Sequence, residues 1–389
     1  MKKYFLAVAS FFIYSHISLG QVYPGQMDST FVPVRSHHYD PELTFDFCVN
    51  EPAWNNQAGI HSAFGSTDRL YFRKEVPVNH NNDLSSSYST TVWRGERANA
   101  QILVWSSEAL EQVRVSTQDL RSAEGNIIPK DRITFELVRY VLSNYPYAEK
   151  KAICGESPYK SGFLMPDRFE TLDRFDLPSQ TTRPVWMMVD VPRGTVPGTY
   201  KGQVEVRAKG KAPQLLNLEI VVQNQLLPYP KDWKYRLDLW QNPWAVAWYN
   251  HVEPWSPEHK MLLKQHLKHY ADAGGTYITT YGVHSPWSDN SYMIEGGMIE
   301  WIKKADGTWA FDYKIFDEYV ELAMECGIDE AITLYTPIPW GFRHRYKDEA
   351  TGDYSYINWA PSSEEFKKMW NIFLTDFKFG LEAKSWLDI

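Results

Sequence analysis

Leu226-Leu227-Pro228-Tyr229-Pro230 divides the sequence into two halves. Two prolines in three residues favour an extended, stiff connector, and the hydrophobic period differs on its two sides. Upstream, from about Gln21, short alternating or β-branched runs recur. They are Ala100–Trp105, Gln112–Ser116, Ile133–Tyr140, Val185–Val191, Gly202–Arg207 and Leu216–Val222. Turn signals such as Arg193-Gly194, Pro197-Gly198 and Lys209-Gly210 separate them. That grammar predicts a β-sandwich region over 21–230. Within it, Val191–Gly202 reads as a Pro/Gly-fixed connection whose Tyr200 plugs the sandwich edge, a structural role.

Downstream the period changes. Tyr235–Trp240 predicts a short strand, His259–Ala273 an amphipathic helix ended by Gly274-Gly275, and Tyr277–Val283 a second strand. Met298–Tyr313 reads as a hairpin turning at Asp306-Gly307. Lys314–Cys326 is a helix stopped by Gly327, Glu330–Thr336 a third strand, and Ser362–Lys384 a helix opened by a Ser362/Glu365 capping box. Strand and helix alternate as in a parallel α/β arrangement. The fold class predicted is therefore multidomain β + α/β, a β-sandwich region followed by a (β/α)8 TIM-type barrel over 231–389. A full barrel takes about 250 residues. The segment supplies about three βα units, and Trp386-Leu387-Asp388-Ile389 reads as the start of a fourth strand. The barrel is expected to be incomplete, with strand edges and helix faces left uncovered.

The chain has 389 residues, 48 acidic against 40 basic side chains and a formal charge of −8. That balance argues against a nucleic-acid partner, which needs a basic face to displace counterions. Residues 1–20 pair Lys2 and Lys3 with an apolar run from Tyr4 to Leu19 and small residues at Ser18 and Gly20. This is the pattern of a signal peptide cleaved after Gly20, which predicts a secreted or periplasmic protein. The run is shorter than the ~20 residues that cross a bilayer, so no membrane span is expected. Of three cysteines, Cys48 and Cys154 could pair in an oxidising compartment, while Cys326 reads as a small buried hydrophobe. No metal-ligand spacing or phosphate-binding loop appears, so neither metal nor cofactor is expected.

The outlier is aromatic content, at 15% with 16 tryptophans, twelve of them from Trp233 onward. Barrel chemistry sits at the C-terminal ends of the strands. Those ends carry Trp240 and Trp244, then His284 and Trp287, then Tyr335 and Trp340. Flat rings beside amide, imidazole and carboxylate groups suit a sugar, whose C–H face stacks on an aromatic while its hydroxyls need polar partners. These six residues are the candidate carbohydrate-binding set. The adjacent acids Asp348-Glu349 sit between Lys347 and Thr351-Gly352-Asp353 and read as a solvated hairpin tip. His251, His259, His266 and His269 read as helix-surface or loop histidines.

A series of stretches then carries a resemblance: Leu237–Ala247 (LDLWQNPWAVA), Ala271–Gly274, Ile278–Thr280, Met298–Lys304, Asp306–Tyr313 and Ile338-Pro339-Trp340. Together with Trp93–Gln101 and Pro197–Gly202, they resemble glycoside hydrolase family 123. The resemblance implies a retaining β-N-acetylgalactosaminidase-type enzyme acting on glycans or glycolipids. The substrate's own 2-acetamido group would attack the anomeric carbon, an Asp would orient it, and a neighbouring Glu would protonate the leaving oxygen, an exception to the two-carboxylate scheme. In the family that Asp-Glu pair follows the fourth strand. Its counterpart is expected just beyond Ile389, so no catalytic residue is assigned and the 389 residues are expected to be inactive. The alternatives are a non-catalytic carbohydrate-binding protein and a barrel hydrolase using Asp238 and Asp289.

Overall fold

A computed structural model describes residues 51–77, 84–143, 163–284 and 297–389. The segment 1–20 expected to be a signal peptide, and Cys48, Cys154, Trp287 and Asp289, lie outside these residues. The chain forms two compact units, described over 51–227 and 228–389, and is predominantly β.

The first unit holds β1 (His61–Gly65), β2 (Ser87–Arg94), β3 (Arg97–Ser106), β4 (Leu110–Thr117), β5 (Leu120–Arg121) and β6 (Ile127–Ile128). They are followed by β7 (Ile133–Ser143), β8 (Phe163–Thr171), β9 (Phe175–Leu177), β10 (Thr181–Asp190), β11 (Gly198–Arg207) and β12 (Gln214–Leu226). One sheet has the order β1-β3-β10-β7-β8; the other runs β2-β12-β11-β4-β9, with β5 and β6 attached to β11. Strand β12 shows why they stack. Leu216, Leu218, Ile220 and Val222 are buried at every second position, and Asn217 and Glu219 between them are not. They meet Ile102, Val104, Val185 and Met187 of the facing sheet in one core. Tyr200 is fully enclosed and donates its hydroxyl to the Val196 carbonyl at 2.6 Å, which ties the Pro/Gly connection to the strand it feeds.

The second unit holds α1 (Pro243–Asn250), α2 (Pro257–Asp272), β13 (Tyr277–Tyr281), β14 (Glu300–Lys303), β15 (Trp309–Asp312) and α3 (Lys314–Glu325). After these come β16 (Ala331–Tyr335), β17 (Arg343–Asp348), β18 (Tyr354–Asn358) and α4 (Glu364–Ala383). Strands β13 and β16 pair in parallel, and Leu237 bridges Gly275 in the same sense. Three chain segments thus run side by side with helices between them, and no barrel closes among the described residues. The expected strand 235–240 is reduced to that single bridge. Helix α2 starts where Ser256 Oγ accepts the His259 N–H at 3.2 Å, with Pro257 next. It buries Leu263, Leu267 and Tyr270 along one face and stops at Gly274, whose φ of +88° favours glycine.

Tyr270 then acts as a clamp. Its hydroxyl lies 2.6 Å from the Leu237 carbonyl and 3.0 Å from that of Tyr277. A Cβ at Gly275 would fall inside this ring. Gly275→Ala is therefore expected to lower the stability of the second unit by roughly 2 kcal/mol, the overpacking range, read as a lower midpoint in urea unfolding. An unchanged midpoint would remove the clamp from this account.

Several expectations needed correction. The predicted long loop after β16 contains β17 and β18, which join β14 and β15 in a sheet ordered β15-β14-β17-β18. Helix α4 is capped by Ser363, not Ser362, through its Oγ accepting the Phe366 N–H at 3.1 Å. Residues 386–389 form no strand. Trp386 turns back, donating its N–H to the Leu381 carbonyl and packing against Phe316. Cys326 is buried, and that burial raises its thiol pKa.

Candidate active site

The in-register pairing of β13 and β16 sets opposite one another Thr279 and Thr333, then Tyr281 and Tyr335. The parallel segment through Leu237 adds Asp238 to the first layer and Trp240 to the second. Asp238 accepts the Thr279 hydroxyl at 2.5 Å and the Thr333 hydroxyl at 3.1 Å, one on each carboxylate oxygen. It is the first layer's cross-strand tie. Above it, at the C-terminal ends of the strands, the rings of Trp240 and Tyr335 lie 4.6 Å apart at 41°. Trp240 is 60% exposed, so much of its indole surface is open. Tyr281 fixes the layer from behind, donating its hydroxyl to the Gln241 carbonyl, and its burial raises its pKa. Among the described residues no group of three or more His, Cys, Asp or Glu could hold a metal ion.

The predicted set divides. Trp240 and Tyr335 come together. Trp244 does not join them, because α1 turns it inward. It is 3% exposed and packs edge-on against Trp255, with Tyr281 beyond, so it serves the core. Trp340 lies in the short 3-10 turn 340–342, and Trp287 lies outside the described residues. His284 follows β13 by three residues and lines a cavity of about 330 Å³. This cavity opens beside the β14–β15 hairpin and the first turn of α3, not at the Trp240–Tyr335 stack. Its wall includes Glu300, Trp301, Lys314, Glu318 and Arg345.

Sequence reasoning missed Tyr354 and Arg345 here, because it took 337–361 as a loop. Tyr354 donates its hydroxyl to Glu300, and the Arg345 guanidinium lies 4.1 Å over the Tyr354 ring. The alternation of Tyr354, Tyr356 and Arg343, Arg345 was the available signal. His259 was also misjudged. It is fully buried, its Nδ1 accepts the Trp255 N–H at 2.8 Å and its Nε2 sits 2.8 Å from the Pro243 carbonyl. Burial lowers its pKa, and its two bonds tie α1 to the start of α2. Asp348 and Glu349 occupy a hairpin tip. Glu349 bonds Lys304 at 2.9 Å and the Ala305 N–H at 3.1 Å, and the lysine bond holds its carboxyl below the usual range.

Comparison with known proteins decides what these elements belong to. The model of the glycoside hydrolase 123 catalytic domain matches residues 240–389, and that of the family's N-terminal domain matches 64–208. The chain belongs to glycoside hydrolase family 123. Among solved structures, a family 123 glycoside hydrolase from Clostridium perfringens, described for glycolipid glycan hydrolysis, is 25% identical with a TM-score of 0.75. The match covers 85% of this chain and 57% of that one, so this chain spans little more than half the length of that family 123 enzyme. An ASH/PapD-like domain of human CEP192 is 12% identical over 48% of this chain and 99% of its own, at a TM-score of 0.21. No curated protein matches the sequence. No helix of the described residues is long and apolar enough to cross a membrane.

Proposed function

We propose that this family 123 protein acts, as a secreted or periplasmic enzyme, on β-linked N-acetylhexosamine in glycans or glycolipids. N-acetylgalactosamine is the first candidate, and hydrolysis proceeds with retention through the substrate's own acetamido group. The observation that carries the carbohydrate assignment is the Trp240–Tyr335 pair, an exposed indole beside a second ring at the ends of parallel chain segments. In this reading 231–389 are the opening three βα units of a (β/α)8 barrel, and 21–230 form the sandwich domain before it. Trp240 and Tyr335 face the sugar, with His284 in the wall of the neighbouring cavity. Asp238 holds the layer below them and does not touch the sugar. The family's Asp-Glu pair follows the fourth strand. The carboxylates at Asp348 and Glu349 are engaged in a hairpin and do not substitute for it.

The test uses the 389-residue protein. It is expected to bind N-acetylgalactosamine by titration calorimetry, and turnover of a chromogenic N-acetyl-β-galactosaminide tests the hydrolysis. Trp240→Ala is expected to weaken that binding about tenfold, close to the upper end of what one aromatic contact contributes. Turnover that disappears in Asp238→Asn would favour the hydrolase that uses its own Asp238. Equal affinity of the wild type and Trp240→Ala would remove the stack from the site.

A further inference from the structure

Strand β17 presents a row of cations that no carboxylate answers. Its pairing with β18 sets Arg343 against Asn358, Arg345 against Tyr356 and Lys347 against Tyr354. Paired residues share a face, and every second residue of a strand returns to it. One face of the two strands therefore carries three cations, two tyrosines and an amide, with no acid among them. The whole chain has a formal charge of −8, so this row is a local departure and not a sample of a basic surface.

Each arginine stacks on the tyrosine diagonal to it. The Arg343 guanidinium carbon lies 3.7 Å from the centre of the Tyr356 ring, and that of Arg345 lies 4.1 Å from the centre of Tyr354. A ring beneath a guanidinium fixes its plane and leaves the N–H groups along its edge. Most of the described arginines use those groups on a carboxylate or a backbone carbonyl, as Arg97 does on Asp190 and Arg193 on Leu227. Arg343 and Arg345 make no ion pair or hydrogen bond among the described residues. Glu300, across the sheet on β14, accepts the Tyr354 hydroxyl instead. The stacking thus removes in advance the side-chain freedom that an incoming anion would otherwise have to freeze. Alternate residues of a strand are about 7 Å apart, and charge-assisted N–H···O bonds are about 2.7–2.9 Å long. One oxyanion seated between the two guanidiniums can accept from both, and Lys347, one step further along, adds to the field.

We propose that Arg343 and Arg345 form an oxyanion site on this face, taking one sulfate, phosphate or carboxylate group. Arg345 and Tyr354 also border the cavity, whereas Arg343, Lys347 and Tyr356 lie outside its wall. Neither the Trp240–Tyr335 stack nor the carbohydrate reading enters into it. The group arrives as a free anion, as an ester on a larger molecule or as a lipid headgroup.

Titration calorimetry of the 389-residue protein with sodium sulfate, against sodium chloride at matched ionic strength, tests the site. Sulfate is expected to bind where chloride does not. The double variant Arg343→Gln/Arg345→Gln is expected to weaken binding at least about tenfold, since both forks are removed. Arg343→Lys and Arg345→Lys keep the charge and lose the planar fork, and each is expected to weaken binding about fivefold with little risk to folding. Arg236→Gln removes the same charge from an arginine stacked elsewhere, 5.8 Å from the centre of the Tyr277 ring, and is expected to leave the affinity unchanged. Three results would overturn the site: no preference for sulfate over chloride, undiminished binding in both lysine variants, or an equal loss in Arg236→Gln. Galactose 6-sulfate and phosphatidylglycerol vesicles then separate the sources. Tighter binding of one of them than of inorganic sulfate, lost in the lysine variants, supports the site and identifies an ester or a lipid headgroup as its ligand. Binding of the inorganic ion alone supports it as a site for a free anion.

Discussion

Replacing Trp301 with alanine is expected to unfold the second unit or leave it barely stable at 25 °C, while the first unit keeps its own cooperative transition. Trp301 is 3% exposed and stacks on Phe373 at 4.8 Å and 25°. Phe311 and Trp370 meet it edge-on at 5.0 and 5.6 Å, with Trp309, Trp359 and His344 further out. A buried Trp→Ala change costs about 3–5 kcal/mol. Here it also leaves the Gly282 carbonyl without its indole donor, a loss of about 1–3 kcal/mol where the group stays buried. The two terms overlap, and about 5 kcal/mol in total approaches the whole stability of many domains. The units have separate cores, so the damage should stay in one of them. Near-UV circular dichroism during urea unfolding checks this. Trp301→Phe keeps a ring against Phe373 and should recover more than half of the loss. An alanine variant within 1 kcal/mol of the wild type would mean that the aromatic cluster is not what holds β14 to α4.

How much of this was readable beforehand depends on how local the cause is. Strand β12 and its neighbours announced themselves because one face is buried and the other is not, which writes a period of two into the sequence. Helices α2, α3 and α4 were legible through their periodic apolar faces, and each through a serine at the start or a glycine after the end. The cap of α4 was misplaced by one residue because Ser362 and Ser363 are both competent, and only the backbone geometry chooses between them. Strand β17 was not legible. Arg343–Asp348 is almost wholly polar, and part of its pairing is a parallel one with β14, which no local pattern encodes. Trp244 shows the corresponding limit at the site. It was named for its place after the expected strand 235–240, but Pro243–Asn250 coils into a helix that carries the ring into the core. Trp240 and Tyr335 were named from strand-end position alone. Their mutual approach needed the register of β13 with β16 and the bridge at Leu237. The cavity was invisible to sequence because most of its wall comes from two hairpins and a helix start that are distant along the chain.

Acidification should destabilise the second unit through His344. The side chain is 3% exposed, enclosed by Trp301, Trp359, Phe366 and Trp370, with its Nδ1 3.2 Å from the Phe342 carbonyl and its Nε2 buried without a partner among the described residues. Burial favours the neutral ring and pushes its pKa from 6.5 down to about 4, against a smaller upward pull from the Phe342 bond. The unfolded chain therefore takes up a proton that the folded chain refuses. Above pH 6.5 neither state is protonated and the full stability is present. Between 6.5 and 4 the unfolded state gains protons and stability falls, and below about 4 the loss levels off at about 3 kcal/mol. Burial also lowers the pKa of His259 and His266, so the wild-type slope contains their contributions as well. His344→Phe isolates the one residue, since a phenyl ring fits among aromatic neighbours and cannot titrate. Urea unfolding of both proteins from pH 7.5 to 4 should show their stability difference changing by about 3 kcal/mol in favour of the variant at low pH. Parallel curves would show that the imidazole is already solvated in the folded state, and that the β17 strand is not sealed against α4.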